Sequence, residues 1–252
     1  MENPLTYIPP VSTLNPKFER RSELREIMDD LDLEGEVLQK ALRQLAIINT
    51  WLGGNRVVVN GFKKMVRDIP SAELSKPLEI VDLGCGGGDA LRSVARWARR
   101  KKIPVKLTGV DANDFTVEYA KELSRNYPEI TFIKADCFSF RFLDQSFDFT
   151  LCSLFLHHFS DRELNARLKD IKKISRRGVI INDLQRHWLP FYLFRVFAWL
   201  IFASKMVIYD GSVSILRGFT REEWINKLLK MEPKSWTIRW KWAFRHQILI
   251  KT

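Results

Sequence analysis

Cysteine is scarce: only Cys85, Cys137 and Cys152 occur in 252 residues. So small and odd a number excludes a disulfide framework and fits a reducing compartment. Neither CxxC nor HExxH spacing occurs. Cys137, Cys152, His157 and His158 are soft ligands, but Cys152 alternates away from Ser153 along its strand, and no metal site is expected. No leader is expected, since Met1-Glu-Asn-Pro-Leu has neither a basic start nor an apolar run. The expected location is cytoplasmic. The greasiest stretch, residues 189–203, is shorter than the ~20 residues of a spanning helix and carries Arg195 near its middle. Acid is in deficit, with 30 Asp and Glu against 41 Lys and Arg, giving a net charge of +11. That excess favours anionic partners and says nothing of fold. Hydrophobic residues at 46% and charged residues at 28% describe a globular chain long enough for a large core.

The first 16 residues are proline-rich and aperiodic and read as an extended arm. Beyond them Leu33, Val37, Leu38, Ala41 and Leu45 recur at helical spacing, with charged residues on the opposite face. Gly53-Gly54 stops that helix, and another runs towards Met65. Residues 1–70 are therefore expected to form a helical extension ahead of a domain over 71–252. From residue 78 short apolar runs alternate with helical segments: 78–83, 105–110, 130–135, 147–153 and 179–181 read as buried strands. Such alternation predicts an α/β, Rossmann-like, mostly parallel sheet covered on both faces. Residues 236–240 and 244–250 leave no room for a helix between them and predict a closing antiparallel hairpin, the sixth and seventh strands. Ser160-Asp-Arg-Glu163 and Thr220-Arg-Glu-Glu223 have capping-box form.

Glycine is sparse, at 12 residues, yet four fall within Asp82-Leu-Gly84-Cys-Gly86-Gly87-Gly88-Asp89. A buried strand entering such a turn and then a helix lets backbone approach a ligand closely. The dinucleotide fingerprint would need glycine at position 89, and a P-loop would need Lys followed by Ser or Thr; this chain has neither. The next strand ends at Asp111, where a carboxylate can accept both hydroxyls of a ribose. The one after ends at Asp136, placed for an exocyclic adenine amine. Asp82, Asp89, Asp111 and Asp136 make an acidic crevice in a basic protein, which suits a positively charged cofactor without phosphates.

These stations, Asp82 to Gly88, Gly109-Val-Asp111, Ala135-Asp136 and Phe147 to Ser153 followed by Leu156-His157-His158-Phe-Ser-Asp161, resemble class I S-adenosylmethionine-dependent methyltransferases of the small-molecule, type 11-like group. The resemblance covers residues 78–181 and the closing hairpin, and it implies S-adenosyl-L-methionine as cofactor. It implies that Gly84, Gly86 and Gly88 pass the methionyl part beside Asp82. It also implies that Asp111 holds the ribose, that Asn113 borders the adenine, that Asp136 with Cys137 reads it, and that Ser153 lies beside the transfer site.

Around that site His157 and His158 follow the fourth strand, and Asn182-Asp183 ends the fifth. One histidine could take a proton from a phenol, whose pKa is near ~10, and His157, nearer the strand end, is expected to do so. Asp183 joins these as a catalytic candidate. An insert over 184–218 holds Trp188, Phe191, Tyr192, Phe194, Phe197, Trp199 and Phe202, apolar around almost the whole helix. It is expected to roof a greasy pocket; core packing and contact with an anionic membrane are left open. A turn-rich loop after it would bring Tyr209, Ser214 and Arg217 to the substrate. The basic runs at 99–102 and 172–177 fall at helix ends and read as solvated. No Asn/Asp-Pro-Pro-aromatic turn stands at Ser153-Leu-Phe-Leu156, so a nucleic-acid partner is not expected. The expected activity is methylation of a hydrophobic small molecule, at oxygen of a phenolic, quinone-precursor or polyketide-like acceptor. The alternatives are an RNA or protein methyltransferase and a cofactor-binding scaffold without catalysis.

Overall fold

The computed structural model describes residues 8–9, 14–137, 142–201 and 203–252. Most of the expected N-terminal arm, and Phe202 of the insert, fall outside them. Two helices, α1 (Gly35–Trp51) and α2 (Gly54–Val66), precede the sheet. Strands and helices then alternate: β1 (Leu78–Leu83), α3 (Asp89–Lys101), β2 (Val105–Asp111), α4 (Asp114–Leu123), β3 (Ile130–Lys134), β4 (Phe147–Ser153), α5 (Asp161–Ile174) and β5 (Ser175–Leu184). Helices α6 (Trp188–Leu200), α7 (Lys205–Arg217) and α8 (Arg221–Met231) lead to the hairpin of β6 (Ser235–Lys241) and β7 (Arg245–Lys251).

The seven strands lie in the order β3-β2-β1-β4-β5-β7-β6. All pairs from β3 to β5 are parallel, and β7 runs antiparallel to both β5 and β6. The mostly parallel Rossmann-like sheet with its closing hairpin is thus the architecture that the apolar runs predict. Both expected capping boxes form, at Ser160 with Glu163 and at Thr220 with Glu223.

One face of the sheet packs Ile80, Leu107, Phe149 and Leu249 against α2 and α3, where Phe62 stands edge-on to Trp97 and Phe149. The other packs Val81, Leu83 and Ile248 against α5 and α8 through Leu164, Leu168 and Trp224. Helix α2, read in sequence as part of an extension, therefore lies in the same layer as α3. A second departure concerns residues 209–217, expected as a loop and found as the last two turns of α7. Gly211 reads as a turn signal, but a Cβ there would sit 2.2 Å from the ring of Phe194, so close packing of α6 on α7 explains the glycine. Ser212 and Ser214 donate back to the carbonyls of Ile208 and Asp210, which satisfies their hydroxyls inside a helix.

Candidate active site

At the carboxyl ends of β1, β2 and β4 lies a cavity of about 420 Å³. Its floor is the turn after β1. Gly84 adopts φ +67° and lies under Phe155, whose ring a Cβ would meet at 2.1 Å; Gly86 adopts φ +50°, and a Cβ there would meet no protein atom within 4 Å. The turn is thus closed by packing on one side and open to a ligand on the other. Gly88, also left-handed, starts α3 as its N-cap. Asp111 Oδ2 accepts from the Gly86 amide at 2.9 Å and Oδ1 from the Asn113 amide at 3.1 Å, so the carboxylate is fixed at the strand end. Asp82, Asp89, Asp136, Cys137 and Ser153 also line the cavity, and Ser153 Oγ accepts from Asn182 Nδ2 at 2.9 Å. Burial pushes the Cys137 thiol up to about 12 and those of Cys85 and Cys152 well above their ordinary value, so none is a ready thiolate.

Burial, reinforced by Asp111, pushes Asp82 up to about 8, and its Oδ1 has no hydrogen-bond partner. Asp82 is therefore neutral at pH 7 in the ligand-free protein. An unfolded aspartate ionises near ~3.9. Between that value and about 8 the folded chain holds one more proton than the unfolded one, so this group makes stability fall as pH rises, by up to about 1.4 kcal/mol per pH unit. Asp82→Asn should flatten that slope and raise the melting temperature at pH 8 more than at pH 5. Melts across pH 5–9 with an unchanged slope would refute the assignment.

The opposite wall is apolar, and it is not built by α6. Leu38, Leu42 and Leu45 of α1, with Met28 and Leu31, supply it, together with Phe155 and Phe159. Of the insert, α7 reaches the cavity through Asp210, Gly211 and Ser214, while α6 stands behind it. The roof expected of the aromatic insert thus falls to other segments.

A strap over residues 14–33 carries two acids that motif reading missed. Within it, residues Ile27–Asp29 form a single 3-10 turn capped by Glu26 and Asp29. His157 is 2% exposed; its Nδ1 meets Asp183 Oδ1 at 2.6 Å and its Nε2 faces Glu26 Oε1 at 3.4 Å. Burial disfavours its charged form, yet the two carboxylates overcome this and push it up to about 9. Its Nδ1 is thus taken up by Asp183 and its Nε2 turned to Glu26, surroundings that favour the charged ring over a proton acceptor. His158 stacks on it with ring centroids 4.4 Å apart. Its Nδ1 meets Asp29 Oδ1 at 2.6 Å, which leaves Nε2 as the nitrogen available at the cavity. Asp183 is fully buried behind His157 and does not reach the cavity wall.

The other candidates serve the strap. Arg217 donates to the carbonyls of His157, His158 and Leu24 and to Asp29 Oδ2, so its guanidinium is consumed. Asp210 accepts from the amides of Ile27 and Met28. Asn113 donates to the carbonyls of Leu31 and Leu33 while its Oδ1 caps α4, so its side chain holds the strap and the helix. Tyr209 is buried among Leu14, Phe191 and Val213, away from the cavity. Ser214 does line it. Among the described residues, Glu26, His157 and His158 alone gather ligand atoms tightly enough for a metal ion, within 4.8 Å. Asp183 and Asp29 already hold the Nδ1 atoms of the two rings. Arg99, Arg176 and Arg177 of the basic runs pair with Glu129, Asp148, Glu79 and Glu73.

A glycine turn and two acidic strand ends at one edge of a parallel sheet define a Rossmann-like ligand site. Residues 80–178 match the family model described as a methyltransferase domain. Among solved structures, the chain is similar to the CMeT domain of the citrinin polyketide synthase (TM-score 0.57, 17% identity, 75% of this chain and 49% of that one). It is similar to human N-acetylserotonin methyltransferase in complex with SAM (0.59, 17%, 84% and 54%). It also resembles magnesium protoporphyrin IX methyltransferase from Synechocystis PCC 6803 with bound SAH (0.54, 17%, 87% and 89%). The chain spans about half the length of the first two. At these identities the likeness is one of fold. Residues 80–178 thus match a methyltransferase domain and lie in a Rossmann-like sheet of the kind the motifs imply.

Proposed function

We propose that this chain is an S-adenosylmethionine-dependent methyltransferase that transfers a methyl group to the oxygen of a hydrophobic, phenol-like small molecule. The observation that carries the reading is the division of one cavity. An acidic glycine-turn half meets an apolar half from α1 and the strap, and His157 and His158 line the same cavity. The open side of Gly86 and the fixed carboxylate of Asp111 fit a ribose-bearing cofactor, and the acidic lining fits one with positive charge. When bound, the cofactor supplies an electrophilic methyl group on a sulfonium. The chain's own work is alignment, exclusion of water and control of one proton. Asp29 fixes the His158 ring, and Nε2 accepts the hydroxyl proton as the oxygen becomes nucleophilic. His157, pinned between Asp183 and Glu26, holds the neighbouring ring by stacking and acts as a positioning residue. The cytoplasmic expectation carries over as part of this reading. Among the described residues, no helix is long and apolar enough to cross a membrane.

Asp111→Ala should lower affinity for S-adenosylhomocysteine about ten- to hundredfold, the equivalent of roughly 1.5–3 kcal/mol for hydrogen bonds to a buried carboxylate. Calorimetry on the folded variant measures it. Unchanged affinity would remove the ribose assignment. Incubation with methyl-labelled cofactor and a panel of lipophilic phenols tests the acceptor class, and a product labelled at carbon or nitrogen would overturn the oxygen assignment.

A further inference from the structure

We propose that the face formed by the C-terminal half of α1, the outer side of α6 and the β6–β7 turn docks on an anionic lipid bilayer. Along α6, Trp188, Tyr192, Val196 and Trp199 follow one another at intervals of three and four residues, a single side of a helix, and all are about half exposed or more. The opposite side of α6 is buried through Pro190, Phe191 and Ala198. Sixteen large hydrophobic side chains are exposed among the described residues, and ten of them are Ile47 and Trp51 of α1, six on α6, and Trp240 and Trp242 at the β6–β7 turn. Two contacts join these elements. Trp51 of α1, 67% exposed, contacts the Phe197 ring at 6.3 Å, and Trp240 of β6 donates to Gln185 just ahead of α6 at 2.9 Å.

Charge says what covers this face. Residues 37–53, 185–209 and 239–245, which bear the exposed aromatics of this face, carry eight Lys and Arg and no Asp or Glu. Only Arg186 and Arg245 of the eight are buried. A partner protein or second copy would have to be acidic around an apolar centre; a second copy of this face would bring like charges together. Lipid headgroups carry the required sign, and Trp and Tyr prefer the headgroup level. Helix α6 is 13 residues long, too short to span and suited to lie in the interface. Helix α1 turns Leu42 and Leu45 into the cavity and Ile47 and Trp51 outward, so docking brings the acceptor pocket to the membrane. Delivery of a membrane-dissolved acceptor rests on the function proposed above; docking itself does not.

The test is flotation of the full chain with vesicles of equal phosphatidylglycerol and phosphatidylcholine, and with phosphatidylcholine alone. We expect binding to the first, at least tenfold weaker binding to the second, and loss in 0.5 M salt. The double variant Trp188→Ser, Trp199→Ser and the charge variant Lys40→Glu, Arg43→Glu, Lys205→Glu should each reduce partitioning at least tenfold. Their melting temperatures and affinity for S-adenosylhomocysteine should stay unchanged. Absence of binding to anionic vesicles, or equal binding by the variants, overturns the proposal. So does a dimer in sedimentation velocity that the tryptophan variant dissolves. Methylation of a water-soluble phenol by a chain that ignores vesicles would remove docking alone, while vesicle binding without transfer to any phenol would remove the acceptor class alone.

Discussion

Replacing His158 with alanine should lower methyl transfer to a weakly acidic phenol by about 10²–10⁴-fold, the range for losing a positioned general base. Affinity for S-adenosylhomocysteine should not change, because the glycine turn and Asp111 belong to the other half of the cavity. The diagnostic is acceptor acidity. A nitrophenol, already ionised at neutral pH, should lose far less rate than a phenol that ionises near ~10. His157→Gln should slow both acceptors by a similar factor, since His157 acts through the placement of the neighbouring ring. The opposite pattern, with acidity dependence at His157 and none at His158, would return the base to the first histidine. Steady-state rates on a graded series of phenols decide between them.

Arg217→Ala should destabilise the fold by about 3 kcal/mol, because it removes one member of a buried ion pair and strips partners from several carbonyls at once. Asp29, held below the ordinary carboxylate range by His158 and Arg217 despite its burial, would lose its guanidinium partner. Arg217→Lys keeps the charge but not the fork that serves Leu24, His157 and His158, and should fall between alanine and the native protein. Urea unfolding measures the loss, and limited proteolysis within residues 14–33 locates it. A native midpoint with an uncut strap would show that Arg217 is not the clamp.

The sheet and its ligand edge were legible because their signals are local. A buried strand, a glycine run and a carboxylate at the next strand end follow one another between residues 78 and 111, and the turn could be read without knowing what packs on it. Glu26 and Asp29 were not legible. They reach the histidines from about 130 residues away, and their only mark is a capping pair three residues apart in a stretch without periodicity. The order of His157 and His158 is silent for the same reason: it does not say that Asp183 and Glu26 flank the first ring and Asp29 the second. Residues 209–217 misread as a loop because Gly211 and two serines imitate a turn, and only the Phe194 ring above Gly211 explains that composition.

The segments that form the apolar half of the cavity have a consequence for how such a protein can change. Met28, Leu31, Leu38, Leu42 and Leu45 and the strap clamps Asp210 and Arg217 all lie outside residues 80–178. The glycine turn and most of the apolar wall thus come from separate stretches of chain. Exchange in the apolar segments can proceed while the glycine turn is preserved. A library confined to Leu31, Leu38, Leu42 and Leu45 would reshape the apolar wall while leaving the turn, Glu26 and Asp29 untouched.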